Sequence, residues 1–329
     1  MTIAPEPVLT RLPILILHPH SRCNCRCVMC DIWKVTEAQE ISAEDLERHV
    51  AGIENLGMEW VVFSGGEPLM HSDLFRLCAV LRRRHIRITI LSTGLLVARH
   101  ARAIVENADE LIISLDGPLE IHDSIRRVPG AFRMLREGVS ALKAIQPDFP
   151  IHARCTLQRD NCGALNATVA AARELGLDGI SFLGADLTST AFNRPDGWSM
   201  ERTDGVAPGA KEIAALEAGI DALTEAGECS GFVAESRDKL GKIVAGFEAR
   251  LDGPESIAPL CNAPWVSVVL ETDGTVRPCF FHRSIGKVDA VTSLAQIVNS
   301  PAAVEFRAGL NVATNSICKR CVCSLNWKG

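Results

Sequence analysis

The sequence predicts an α/β fold built on a parallel sheet, with a small β-hairpin and helix domain appended C-terminally. Three observations carry that expectation. Short apolar, β-branched runs alternate with longer amphipathic segments as far as about residue 190, the rhythm of repeated βα units. Two helical segments then lead into a Pro-containing stretch at 252–259, which divides the chain into 1–255 and 256–329. Finally, the cysteines fall into two groups, one near each end of the chain, and each group sits in a loop-rich context.

The apolar runs place six strands at 13–18, 60–64, 87–91, 111–115, 151–157 and 179–183. Helical spacing is clearest at 42–56, 72–84, 131–145 and 164–175, and Ser42 ahead of Glu44 and Asp45 supplies an N-terminal cap with acids in the first turn. Residues 186–209 are rich in Thr, Asn, Pro, Asp and Gly, which suits a long loop over the open end of the sheet. Helices are expected at 211–226 and 236–251. Beyond the boundary, apolar runs at 265–271 and 275–281 flank Thr272-Asp273-Gly274, a hairpin signal because Asp-Gly accepts positive φ. One helix is expected over 294–308.

Composition limits the function. With 329 residues, 47% hydrophobic and 22% charged, the chain can bury a large core. Its net charge of −6 offers no basic excess for a phosphate backbone or an anionic membrane, so a small or peptidic substrate is expected. The apolar stretch at 13–17 lacks the flanks of an export signal, and no run approaches the ~20 residues that span a bilayer. A cytoplasmic protein is expected.

Thirteen cysteines without an export signal point to metal rather than disulfides where they cluster. Cys78, Cys155, Cys162 and Cys229 are scattered and read as small buried hydrophobes. The first group comprises Cys23, Cys25, Cys27 and Cys30; omitting Cys25 gives C-x3-C-x2-C directly after the first strand. Three thiolates so spaced can hold three corners of a [4Fe-4S] cluster and leave the fourth iron open. A zinc knuckle using all four, or a fully ligated electron-transfer cluster, satisfies the same spacing. Two further motifs stand at strand ends, where α/β folds bind ligands: Ser64-Gly65-Gly66-Glu67-Pro68 and Ser114-Leu115-Asp116-Gly117. Paired glycines let backbone approach a ligand, Glu67 suits an ammonium group, and Ser114 and Asp116 suit ribose hydroxyls. Each is also compatible with a plain turn.

Taken together, residues 12 to about 190 resemble the radical S-adenosylmethionine (SAM) superfamily. The resemblance implies a partial (βα)6 barrel in which Cys23, Cys27 and Cys30 ligate the cluster. It further implies that Gly65, Gly66 and Glu67 meet the methionine end of SAM, that Ser114 and Asp116 meet its ribose, and that Met29 lies by the adenine. Met29 and Cys25 depart from the usual pattern, Met29 because that position is often aromatic. The C-terminal part resembles the auxiliary-cluster modules called twitch and SPASM: Cys261, twelve residues, Gly274, four residues, then Cys279, followed by Cys318 and Cys321. These four complete one auxiliary [4Fe-4S] cluster, with Cys323 to spare; structural zinc is the alternative.

The resemblance implies SAM cleavage to a 5'-deoxyadenosyl radical, with an external one-electron reductant such as flavodoxin or ferredoxin as partner. An oxidoreductase acting on a small-molecule biosynthetic intermediate is expected, the auxiliary cluster accepting an electron. Peptide maturation is the second reading, disfavoured because 22 residues before Cys23 leave no room for a peptide-recognition domain; a non-enzymatic electron carrier is the third. Arg154, His152 and Asp186 are the candidate substrate-side groups, His282 beside Cys279 is a candidate donor to the auxiliary cluster, and the absence of tyrosine excludes a tyrosyl relay.

Overall fold

A computed structural model describes residues 6–251 and 258–328. Among them, nine strands form one sheet in the order β6-β5-β4-β3-β2-β1-β7-β8-β9. The first six are β1 (Ile14–Leu17), β2 (Trp60–Phe63), β3 (Arg87–Ser92), β4 (Glu110–Ser114), β5 (Ile151–Leu157) and β6 (Gly179–Gly184), each parallel to its neighbour. They match the predicted runs within a residue or two. Their alternation explains the curvature of function onto one face: along β5, Ile151, Ala153, Cys155 and Leu157 are buried beneath helices while His152, Arg154 and Thr156 are only partly covered. The inward residues of β4 and β6, among them Ile112, Ser114, Ser181 and Leu183, are likewise partly open, so the inner face is less covered than the outer one.

The core lies on the outer face, where Leu46, Val50, Leu77, Leu81, Leu135 and Leu142 of the helices pack on Val61, Phe63, Leu111 and Ile113. Ser42 caps the helix Ala43–Ile53, its side chain accepting from Asp45 N as the sequence predicts. Two further helices, Val97–Asn107 and Leu119–Arg126, fall where no helix was expected. The first is rich in Arg and His and buries a narrow stripe of Val97, Ala101 and Ile104; the second has eight residues and starts directly after Pro118. The long 186–209 segment includes a helix, Met200–Val206, capped by Ser199.

The C-terminal part continues the same sheet. β7 (Ser267–Leu270) pairs in parallel with β1, and β8 (Thr275–Arg277) and β9 (Gly286–Lys287) follow antiparallel. Gly274 takes φ 87° in the turn, and a Cβ there would stand 2.6 Å from Val288 O. Trp265 begins no strand: it lies in a short turn of helix, Ala263–Val266. The single helix expected over 294–308 is two, Leu294–Val298 and Pro301–Gly309. Pro301 has no N–H to extend a helix, and Asn299 bonds both backbone groups of Leu9 instead. The expected boundary at 252–259 lies largely outside the described residues.

Candidate active site and cysteine cavities

The loop Cys23–Cys30 leaves the carboxyl end of β1 and is held from two sides. Beneath it, Arg26 N and Val28 N donate to the carbonyls of Arg126 and Ile125, unpaired groups at a helix C-terminus, at 3.1 Å each. Beside it lies the Gly-Gly turn: Glu67 N donates to Arg22 O at 2.9 Å, and a Cβ on Gly66 would stand 2.0 Å from that oxygen. Gly65 adopts φ 96° against His18, whose Cβ would lie 2.8 Å from a Cβ on Gly65. The expected reason for the paired glycines thus changes: what approaches them closely is the chain itself. They let the turn press onto the residue before Cys23.

Cys23 and Cys30 are partly buried and Cys27 is buried. Cys25 is buried too, its free thiol hydrogen-bonded to that of Cys27. That bond, helped by the Arg126 guanidinium, outweighs burial and pulls the Cys27 thiol down to about 7, toward the thiolate that binds iron. Arg126 NH1 approaches Cys27 Sγ at 3.5 Å, and its NH2 pairs with Asp116 at 2.6 Å. Asp116 is fully buried and also accepts from Thr156 N at 3.0 Å. Glu67 is equally enclosed: Oε1 accepts from Leu69 N and Ser92 Oγ, and Oε2 from Thr93 N at 2.6 Å. Both carboxylates are therefore turned into the protein rather than toward an open pocket, unlike the direct contacts expected of them. Burial raises the Glu67 pKa against the pull of these donors.

Ser114 and Met29 remain partly open, and Gln158 Nε2 reaches Met29 Sδ at 3.9 Å. Around this loop, buried polar atoms go without a hydrogen-bond partner: His18 Nε2, Asn24 Nδ2 and Gln158 Oε1. Buried polar groups are normally satisfied, so this concentration fits a polar ligand seated beside the cysteines. Sequence reasoning missed all three; each follows a strand or cysteine position already singled out, which was the available signal.

The 186–209 segment closes over the cysteine loop through Asp31. Asp31 accepts from Trp198 Nε1 at 2.7 Å and Arg202 NH2 at 2.5 Å, and its carbonyl takes Asn193 Nδ2 at 3.1 Å. Phe192 and Asn193 are held at φ 58° and 62°, unusual for residues other than glycine. Asp186, a substrate-side candidate, is buried and spends its carboxylate on Arg194, Ser189 and the local backbone, which anchors this segment. His152 lies at the opposite, amino-terminal end of the strands, 3.6 Å from Glu110. Of the three candidates, Arg154 lies partly covered on the inner face, and among the described residues no carboxylate pairs with it.

All five C-terminal cysteines, Cys261, Cys279, Cys318, Cys321 and Cys323, line one cavity of ≈ 70 Å³ with Phe280, Phe281 and His282. Four sulfurs suffice for one cluster, so the donor set fits and one thiol is in surplus. His282 Nε2 lies 3.4 Å from Cys318 Sγ, the position expected of a donor to a cluster ligand, although the expected neighbour was Cys279. Asn262 clips the tail by bonding Trp327 N and O at 2.9 and 2.7 Å, and Trp327 packs on Trp60 at 5.9 Å. The two cysteine regions meet through rings: Phe280 stacks on His18 at 5.7 Å, and Phe281 meets Phe192 edge-on at 6.2 Å.

Six parallel strands with a four-cysteine loop at the carboxyl end of the first, and five further cysteines lining one cavity, offer the donor sets of an iron-sulfur protein. Comparison with known families agrees. The radical SAM superfamily matches residues 17–157, and the iron-sulfur cluster-binding domain SPASM matches residues 261–322. The chain therefore carries a radical SAM domain over residues 17–157 and an iron-sulfur cluster-binding SPASM domain over residues 261–322, which implies a SAM-binding [4Fe-4S] cluster and auxiliary iron-sulfur.

It is 28% identical over 162 residues to the AdoMet-dependent heme synthase of Methanosarcina barkeri, covering 47% of this chain and 45% of that one. To the PqqA peptide cyclase of Gluconobacter oxydans it is 25% identical over 199 residues, covering 58% and 52%. The chain thus spans about half the length of these curated relatives. Among solved structures, Streptococcus suis SuiB bound to S-adenosylmethionine superimposes with a TM-score of 0.68 over 96% of this chain and 73% of that one, at 15% identity. No described helix is long and apolar enough to cross a membrane.

Proposed function

We propose that this enzyme oxidises a small-molecule biosynthetic intermediate by two electrons, one of them passing to the C-terminal cluster. When bound together, SAM and the reduced N-terminal cluster supply a 5'-deoxyadenosyl radical for hydrogen abstraction. Cys23, Cys27 and Cys30 hold that cluster, while Cys25 stays a thiol that donates to Cys27. Gly65, Gly66 and Glu67 shape the turn that receives the methionine end of SAM; Ser114 faces the ribose, and Met29 with Gln158 the adenine. Asp116 acts at one remove, by fixing Arg126 against Cys27. Phe192 to Arg202 exclude water from the barrel mouth. Cys261, Cys279, Cys318 and Cys321 hold the auxiliary cluster, and the division of the chain near 255 separates two functions on one sheet.

The observation that carries the reading is the direct contact of the two cysteine regions through Phe280 and His18. An oxidation needs an electron outlet near the substrate, and this contact supports one beside the barrel. The kinship to a heme synthase favours a substrate other than a peptide; the kinship to a peptide cyclase supports peptide maturation as the second reading. Anaerobic assay of Cys279→Ala tests the proposal: SAM cleavage should persist while conversion of substrate fails. Product formation at the wild-type rate by that variant would overturn it.

A further inference from the structure

We infer that the barrel interior holds an anion-binding subsite centred on Arg154, so that the substrate carries a carboxylate or phosphate group. The inference rests on the proposed small-molecule oxidation and narrows its substrate class. Arg154 sits midway along β5, flanked in register by Ser114 of β4 and Ser181 of β6, on the less covered inner face of the sheet. Its Nε donates to Ser181 Oγ at 3.4 Å. Among the described residues, no carboxylate comes within ion-pairing distance of its guanidinium, and charged groups on or just after other strands of the sheet are already matched. Glu110 is taken by Arg87 and His152, Asp116 by Arg126, Asp186 by Arg194, and Arg277 by Glu271.

An arginine fixed on a strand, partly shielded from water and without a counter-charge, is poised for a planar anion. Its fork of N–H donors matches carboxylate and phosphate oxygens in pairs. The hydroxyls of Thr156 and Ser181 stand on the same inner face and can complete the cradle. Trp60, at the amino-terminal end of β2, packs on Trp327 of the tail, and the cysteine loop lies at the carboxyl end of β1. An anion held at Arg154 would therefore orient the remainder of the molecule along the barrel axis toward the radical source. One competing role is set by the tail itself, since Arg154 also lies near enough to Cys323 to favour its thiolate.

The test uses the anaerobically reconstituted enzyme with SAM bound, and three probes: glutarate, inorganic phosphate and neutral glutaramide, measured by ligand-observed NMR titration. The wild type should bind at least one anion, the preferred one naming the group the substrate carries. R154M should weaken that anion roughly tenfold or more, R154K should fall between, and glutaramide should not distinguish the variants. Both variants should keep wild-type iron content. Failure of the wild type to bind either anion, equal anion affinity in R154M, or loss of about four irons from R154M would overturn the subsite, the last by assigning the guanidinium to the cysteine tail. SAM cleavage by the wild type, followed in the same samples without probe, tests the underlying reading separately.

Discussion

Replacing Gly66 by alanine isolates the contact that joins the SAM-facing turn to the cysteine loop. The added carbon would lie 2.0 Å from Arg22 O, 2.6 Å from Arg22 C and 3.3 Å from Cys23 N, and these are backbone atoms that cannot swing aside. Relief needs a shift of about 1 Å, which also breaks the 2.9 Å bond from Glu67 N to Arg22 O. The lost hydrogen bond costs about 1 kcal/mol, and overpacking of this kind typically adds ~1–3 kcal/mol. A destabilisation of about 2–4 kcal/mol is below the ~5–15 kcal/mol that domains possess, so Gly66→Ala should fold with a lowered unfolding midpoint. Misplacing reacting groups by about 1 Å costs on the order of a hundredfold in rate. Reductive SAM cleavage, followed by chromatography of 5'-deoxyadenosine, should fall by that factor. Gly176→Ala serves as control: its φ of 73° brings strain, but nothing lies within 4 Å of the new carbon. Unchanged SAM cleavage and unfolding midpoint in Gly66→Ala would refute the packing argument.

Two other perturbations probe the surroundings of each cysteine set. Arg126→Met leaves Asp116 buried without its partner and should destabilise by about 3–5 kcal/mol; adding Asp116→Asn should recover part of that in denaturant titration, and strict additivity of the two would show that the pair is not coupled. His282→Phe removes the donor 3.4 Å from Cys318 Sγ. It should keep the iron content and lower the reduction potential of the auxiliary cluster, since hydrogen bonds to cluster sulfurs raise it; an unmoved potential in an EPR-monitored redox titration would detach His282 from the cluster.

The first six strands were legible because they fall on the apolar runs of the βα rhythm, and the cysteine spacings were legible because ligation is local in sequence. What decides the electrostatics of the site was not. Arg126 lies 99 residues from Cys27, at the end of a short helix with no long apolar stripe to announce it. Glu67 and Asp116 could be placed at strand ends from their motifs, but which way a carboxylate turns depends on donors from other strands, such as Thr93 and Thr156. Likewise, nothing local to Phe280 shows that its ring would meet His18, since that contact follows from β7 pairing with β1. The break at Pro301 was readable from the proline alone and was overridden by the apolar spacing around it.

The central claim is that Cys23, Cys27 and Cys30 hold the cluster that cleaves SAM while the C-terminal cysteines hold another. Iron content and 5'-deoxyadenosine formation, measured anaerobically on the wild type and on the Cys23, Cys27 and Cys30 triple alanine variant, test it directly. The wild type should bind about eight irons per chain and cleave SAM; the variant should keep about four and form no 5'-deoxyadenosine. SAM cleavage by the triple variant would contradict the account.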